Sequence, residues 1–489
     1  MPTHTSHPSS LTLVIDQGSH ASRIALFTET GDLHYLKSKN ISTNSLEHPT
    51  QQNQYEQNAN EILLSIQTLL NELPIGLRNN IKCCGLCTQR STIVAWHRTT
   101  GEALSPSISW RDTRAQPLMD KLSAFASKIR KISGLPLSAH YSAGKIHWLL
   151  ENNTTVKEAT KNKQLCISPI ASFLMFHLLN EKPQIIDHSN AQRCQLFNTQ
   201  TLDWSNDLLQ WFKIEKEVLP KCAPVIHPYG TLTLNNIPLT CVCGDQNAVL
   251  YAYPPLQKNN ALINIGTGAF ILSASEERKN KEPRLLRTIA SSNAQNAVFV
   301  TEGTVNGAGA SLSWAQENDP CDDIFSKLPI WLKQVTSPPV FINNISNLGS
   351  PWWCNAGDPE FIGKHAHRQP DRYVAIIESI VFLIFNNIQH LDTSPDTLFI
   401  SGGLSKLDTL CQKLSDLSKT RVVRYTNTEA TARGCAWLSN QSLQNNNLNW
   451  KILEISQQFY ASKYLNEHLQ LKNRYQQFVG ELNKRCNND

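Results

Sequence analysis

Gly244, Asp245 and Gln246 lie directly behind Leu239 to Val242, a short apolar run that leans towards β structure. That order puts a carboxylate at a strand exit, beside a glycine that lets another backbone or a ligand come close. A carboxylate so placed can take a proton from a substrate hydroxyl. A second one, Asp16, follows the apolar run Leu11 to Ile15 and opens a polar stretch ending at Arg23, before Ile24 to Phe27. The pattern predicts a β-hairpin with a glycine-bearing turn. Such a turn can offer backbone N–H groups to a phosphate, with the carboxylate near enough to hold hydrated Mg2+. An ordinary hairpin with Asp and Gly in its turn has the same pattern. The layout returns later as Ala261 to Ile265, then Gly266, Thr267 and Gly268, then Phe270 to Ser273. A third glycine turn, Gly402 and Gly403, follows strand-like Thr397 to Ile400 and suits a phosphate or ribose.

These residues need an α/β scaffold to hold them. Ile62, Leu63, Ile66, Leu69 and Leu70 recur at helical spacing within Asn58 to Asn71. Cys83 to Cys87 reads as a strand leading to Gln89, Arg90 and Ser91, and Ile93 to Trp96 and Ile108 to Trp110 as further β segments. The cluster Arg111 to Arg114 either grips a polyhydroxy compound or forms interdomain salt bridges. Helices are expected at Lys145 to Asn152, Ser168 to Leu179, Asp207 to Phe212, Arg372 to His390 (carrying Glu378), Lys406 to Leu417 and Glu429 to Leu438. Loops or turns are expected at Pro228 to Gly230, Thr301 to Gly303 and Gly307 to Gly309, and a short strand at Arg421 to Val423. Ser439 to Asn449 reads as a linker, and the last forty residues as a polar amphipathic helix. The two strand–glycine–strand segments form a weak internal repeat far longer than a solenoid unit.

At 489 residues the chain has room for two to four domains of about 150 residues. The formal charge of +5 is small and spread out, without a dense Lys/Arg run, so neither nucleic acid nor an anionic membrane is expected as a partner. Met1 to Ser10 lacks a basic start, and no apolar stretch approaches about 18 residues. The thirteen cysteines are odd in number and several sit in apolar runs, which fits a reducing cytoplasm. Cys84 and Cys87 match C-x-x-C. Without a second such pair, they read as small buried hydrophobes rather than a redox or zinc site.

Taken in order, these segments resemble the FGGY carbohydrate kinases, with glycerol kinases nearest among them. Leu13 to Arg23 is similar to their first phosphate motif, and Gly85 to Arg90, Ile108 to Arg114 and Ser133 to Ser138 to their sugar-domain segments. Gly244 to Gln246 is similar to the catalytic segment, Gly266 to Phe270 to the second phosphate motif, and Ser401 to Gly403 with Glu429 to Ala436 to the adenosine motif. The resemblance implies two actin-like, ribonuclease-H-type α/β domains, 1–247 and 248–489, around a central cleft that closes to exclude water. It implies ATP and Mg2+, a small polyol or sugar as substrate, and a dimer or tetramer. Asp245 would be the general base and Asp16 the Mg2+ residue. Ser19, His20, Arg23, Gly266, Thr267, Gly268, Gly309, Ser313, Gly402 and Gly403 would bind the nucleotide. Arg90, Ser91, Trp110, His140, Gln246 and Phe270 would line the substrate pocket with Asp245.

The departures from the family pattern concern the substrate. Ser91 stands where glycerol kinases usually have Glu, and His140 where they have Tyr. Losing partners built for substrate hydroxyls costs selectivity steeply, so a larger polyol or a ketose competes with glycerol. His20 and Leu407 also depart from the usual residues, Gly363 to Arg368 replaces a Thr-Arg-Gly segment, and the basic loop used for fructose-bisphosphate inhibition is missing. A xylulose-type ketose kinase and a non-catalytic nucleotide-binding regulator on the same scaffold are the alternatives.

Overall fold

The computed structural model describes residues 10–46, 54–275, 284–426, 429–442, 450–463 and 465–486. Most of the expected linker, from residue 443 on, and nearly all of the polar N-terminal segment lie outside these residues. The chain forms two compact units. The first comprises Met1–Pro254, Thr288–Phe299 and Glu429–Ile452, and the second Pro255–Arg287, Val300–Thr428 and Leu453–Asp489. A single boundary after Asn247 is therefore replaced by a first crossing after Pro254 and by two later returns.

The first unit's main sheet has six strands in the order Leu33–Asn40, Ala21–Thr28, Leu11–Gln17, Ile81–Thr88, Pro238–Gly244 and Ile226–Thr231. The three central strands run parallel, and an antiparallel neighbour or hairpin closes each side. Burial on both faces explains why the apolar run Leu13 to Ile15 in Leu11–Gln17 is continuous rather than alternating. The second unit repeats this order. Ala297–Val305 (from Val300 on), Ala269–Ala274 and Asn260–Ile265 are antiparallel neighbours. Thr397–Ser401 and Arg421–Tyr425 follow in parallel, and Ile455–Phe459 closes antiparallel. The weak repeat in the sequence is thus a duplicated sheet topology.

Helices cover these sheets for local reasons. Asn58 caps Ala59–Asn71 by accepting from the Asn60 and Glu61 N–H groups, and the helix buries Ile62, Ile66 and Leu69. In the second unit Gln369–Gln389 is buried along most of its length, with Glu378 inside it. Burial raises the Glu378 pKa, but Lys413 at 2.8 Å and Arg474 at 2.7 Å outweigh that and hold it below the usual range. The pairing ties three helices together, and a buried carboxylate without it would be costly.

In the first unit, Ala430–Gln441 sits directly on the main sheet. A Cβ on Gly85 would overlap Ser439 Oγ and Cys435 Sγ, and one on Gly434 would overlap the Ala248 carbonyl. From the same helix the buried Arg433 guanidinium donates to the carbonyls of Gly31, Ala252 and Lys451 and lies 4.8 Å from the Trp450 ring centroid.

Several local expectations are corrected. Pro228 to Gly230 belongs to the edge strand Ile226–Thr231, and Gly303 lies in the strand Ala297–Val305; both glycines sit in sheet, not in turns. The strand at Ser107–Ile108 stops before Trp110, which begins a turn. A 3-10 turn occupies Gly403–Lys406, so the following helix is Asp408–Ser418. The C-terminal region contains a strand, Ile455–Phe459, before the helix Leu465–Cys486. Arg111 to Arg114 is engaged within the first unit. Arg114 pairs with buried Asp112 at 2.8 Å and with Glu56 at 2.9 Å, both in its own unit, and Arg111 lies 4.3 Å from the Tyr55 ring centroid. Cys84 and Cys87 point to opposite faces of their strand, as three-residue spacing requires. Cys354 and Cys486 form a disulfide, where the sequence pointed only to reduced thiols; the other eleven cysteines are free. Among the described residues no helix is long and apolar enough to cross a membrane.

Gly434→Ala places a methyl group into the Ala248 carbonyl, so the helix must lift. The expected cost is about 2 kcal/mol or more, read as a lower urea midpoint; an unchanged midpoint would show that the seat is slack.

Candidate functional site

Asp245 is the first residue of a short helix, Asp245–Val249, immediately after the strand Pro238–Gly244. A hydrogen-bond chain holds that junction. Buried Asp187 caps His188–Gln192 by accepting from the Ser189 and Asn190 N–H groups, and Ser189 Oγ accepts from Gly244 N at 2.9 Å. Burial pushes the Asp187 carboxyl up to about 6, against its four hydrogen bonds from Ser189 and Asn190. Asp245 Oδ1 accepts from Gln246 N at 2.7 Å and lies 3.9 Å from Arg90 Nε, with the carboxylate a quarter exposed. Arg90 is buried, and its Nη1 donates to Asn247 Oδ1 at 3.3 Å. A Cβ on Gly244 would meet Arg90 Cδ at 2.7 Å, so the glycine expected at the strand exit makes room for the arginine.

Asp16 lies in Leu11–Gln17, one strand beyond Ile81–Thr88 from the Asp245 strand, and is paired across the hairpin with Arg23. Arg23 Nη1 donates to Asp16 Oδ2 at 3.3 Å. The Asp16 carboxyl is pushed up to about 6, first by burial and further by the charges of Asp245 and Glu429, against the pull of Arg23 and a hydrogen bond from the Cys87 thiol. Ser19 in the turn accepts from Trp110 Nε1 at 2.8 Å, and His20 is exposed. A residue expected to face phosphate and one expected to line the substrate pocket are thereby joined.

Trp110 also meets His140 edge to face, with 5.1 Å between ring centroids. The His140 imidazole is held down at about 3 by burial and then by the charges of Lys145, Arg193 and Arg90; it is neutral near pH 7. Ser91 is buried in a left-handed backbone conformation at φ 63°, and its hydroxyl donates to the Arg193 carbonyl at 3.3 Å. Its own carbonyl accepts from Lys145 Nζ at 3.0 Å. The Lys145 ammonium, fully buried, is pushed down to about 7 by desolvation, with the Asp112 charge opposing.

In the second unit the turn Gly266 to Gly268 links Asn260–Ile265 to Ala269–Ala274. Its carbonyls accept from the start of the helix Gly309–Asn318: Gly309 N reaches Gly266 O at 3.0 Å and Ala310 N reaches Thr267 O at 2.9 Å. A Cβ on Gly309 would meet Gly266 O at 2.6 Å. Ser313 is exposed one turn on. Gly402, at φ 89°, packs its backbone on Ile265, whereas a Cβ on Gly403 would enter open space. Gly266, Thr267, Gly268, Gly309 and Gly402 thus form one packed group. Phe270, half-buried, lies in the strand that follows the turn, in this unit and not with the other pocket residues.

The sequence reading missed Lys145, Arg193, Asp187 and Gln57. Gln57 donates to the Ser19 carbonyl at 2.9 Å and accepts from Gln89 at 2.9 Å, linking the first turn to the segment carrying Arg90. No local signal marks Lys145, which stands among apolar residues in a helix. Asp187 could have been found as a helix N-cap, an Asp directly before a short polar helix.

Profiles of the FGGY family of carbohydrate kinases match almost the whole described chain: the N-terminal domain over residues 11–244 and the C-terminal domain over residues 261–442. Glycerol kinase 2 of Sulfolobus acidocaldarius is 29% identical over 446 residues, 88% of each chain. Glycerol kinase of Enterococcus casseliflavus is 28% identical over 452 residues, 87% of each. Glycerol kinase of Plasmodium falciparum with ADP superposes with a TM-score of 0.83 at 24% identity, over 98% of this chain and 99% of that one. Xylulose kinase of Lactobacillus acidophilus reaches 0.81 at 19% identity, over 97% and 98%. At these identities the two structures establish the α/β sugar-kinase fold.

A histidine held below its unfolded pKa carries fewer protons folded than unfolded once the pH drops under about 6.5. The stability that neutral His140 allows is therefore complete above that pH and is lost as the pH falls towards about 3. Between about pH 7.5 and 4.5, His140→Phe should lose about 2 kcal/mol less than the wild type in urea titrations. Equal losses would mean that His140 protonates freely in the fold.

Proposed function

The chain belongs to the FGGY family of carbohydrate kinases, and we propose that it uses Asp245 as general base in the ATP-dependent phosphorylation of a small polyol or sugar. The observation that carries the assignment is the position of Asp245. It is a partly exposed carboxylate at the helix start after a central strand, steadied by its own backbone and flanked by a buried arginine. The carboxylate takes the proton of the attacking hydroxyl as that oxygen meets the γ-phosphate, and phosphoryl transfer asks little else of a protein than position and charge.

In the first unit, Arg90, Trp110, His140 and Gln246 bind the substrate, and Ser91 shapes the pocket through its backbone. Ser19, His20 and Arg23 bind phosphate. In the second unit, Gly266, Thr267, Gly268, Gly309 and Ser313 bind phosphate, Gly402 and Gly403 the adenosine, and Phe270 the substrate. Mg2+ fits Asp16: the carboxylate is buried, pushed towards protonation by burial and by Asp245, and only partly compensated by Arg23, so a hard cation would stabilise its charged form. When bound, Mg2+ supplies positive charge to the phosphoryl group in transfer. Eleven free thiols support a cytoplasmic location.

For the substrate we place a polyol longer than glycerol, or a ketose, ahead of glycerol. The carboxylate usual beside the pocket arginine is replaced by Ser91, whose hydroxyl is engaged by the Arg193 carbonyl. His140 is neutral and half-buried against Trp110.

A coupled ADP-release screen over glycerol, erythritol, xylitol, ribitol, xylulose and ribulose tests the assignment. Asp245→Asn should lower kcat about 10³-fold with ATP binding retained; full activity in that variant would remove Asp245 from the mechanism. Ser91→Glu should raise kcat/KM for glycerol against the longer substrates by about tenfold. If glycerol is already the best substrate of the wild type, the argument from Ser91 fails while the kinase assignment stands.

A further inference from the structure

A second cluster of reactive groups lies in the core of the first unit. Cys241 and Cys243 are two residues apart in the strand Pro238–Gly244, so they share a face. Cys435 descends onto that face from the helix Ala430–Gln441. The three sulfur atoms lie within 4.8 Å of one another, and all three residues are fully buried. A fourth thiol, Cys87, is the register partner of Cys243 on the adjacent parallel strand. We propose that Cys241, Cys243 and Cys435, with Cys87 at the fourth corner, form a structural site for a thiophilic divalent cation, with zinc(II) as its probe.

Tetrahedral zinc holds thiolates at about 2.3 Å, which sets sulfur–sulfur edges near about 3.8 Å. For Cys241, Cys243 and Cys435 the observed spacing needs a contraction of about 1 Å at most, and Cys87, outside that spacing, has to rotate in to complete the shell. Val14, Ala248, Ala432, Ala436 and Leu438 pack around the thiols, and Ser439 Oγ lies beside Cys435. Full burial keeps bulk water from the thiols, and sulfur donors favour a thiophilic ion over a hard one. Cys87 also donates to Asp16 Oδ1 at 3.5 Å; to complete the site it gives up that bond. Binding releases one proton from each thiol, four in all, and leaves four zinc–sulfur bonds with a net charge of minus two. The ion would pin the helix, which arrives from residues 429–452, to two strands built much earlier in the chain.

The test is metal content and cobalt(II) spectroscopy on the full-length protein, purified under reducing conditions from zinc-supplemented cells. The expected result is about one zinc per chain. After exchange, cobalt should give an intense sulfur-to-metal charge-transfer band with tetrahedral d–d bands. Cys435→Ser should lose both signals, and Cys411→Ser, in the second unit, should keep both. If Cys435→Ser does not fold, Cys241→Ser takes its place. Wild-type protein that is metal-free and takes up no cobalt, or a cobalt spectrum unchanged by either cluster substitution, overturns the proposal.

Discussion

The first unit depends on how closely one helix approaches one sheet. Ala430–Gln441 rests on the strands Leu11–Gln17, Ile81–Thr88 and Pro238–Gly244, at a distance that only glycine permits at Gly85 on the sheet side. Polar bonds lock the contact: Asn440 donates to Thr12 Oγ1, and Thr240 Oγ1 donates to the Ser439 carbonyl. The strands so fixed are the ones whose ends carry Asp16, Arg90 and Asp245. The short helix that Asp245 opens lies against the same helix, through Ala248 and Gly434. Placement of the carboxylates to a fraction of an ångström is therefore a packing result before it is an electrostatic one.

The charges around those strand ends are arranged in opposition. Asp16 and Asp245 repel, and burial adds to the strain on Asp16. Arg90, Arg193 and Lys145 surround His140 and keep it neutral. Lys145 is itself held near about 7 because it is wholly enclosed, although two backbone carbonyls accept its protons, those of Ser91 and Ser109. A neutral imidazole beside an indole offers one donor and one acceptor without competing for the phosphate's charge. Such a neutral ring with enclosed cations around it suits the hydroxyl recognition proposed for this region.

Much of this was legible in the sequence because it rests on short-range rules. Apolar runs with glycine at their ends gave the strand–turn–strand units, and the side-chain period gave the helices Ala59–Asn71 and Gln369–Gln389. The glycine before Asp245 marked a close approach, and Arg90 proved to be what approaches. What could not be read locally was set by partners distant in the chain. Arg114 finds Glu56 fifty-eight residues away. Lys145 finds the carbonyls of Ser91 and Ser109, and Cys354 finds Cys486. The strand at Ile226–Thr231 was taken for a loop because Pro228 and Gly230 punctuate it; an edge strand tolerates both. Two later stretches that join the first unit were likewise invisible to local patterning, because their partners lie far back in the chain.

That return fixes an order of assembly. Synthesis delivers the three central strands of the first sheet within the first 244 residues, but the helix that covers their shared face comes only after residue 429. Until then the face lined by Val14, Cys87, Cys241 and Cys243 has no lid from its own unit. A nascent or truncated chain ending anywhere before that helix therefore carries an uncovered sheet. The second unit, by contrast, has most of its strands together between residues 260 and 425 and lacks only its closing strand and final helix. The unit that is begun first stays open until the segment after residue 429 emerges, and its exposure to chaperones and proteases lasts as long as the chain takes to reach it.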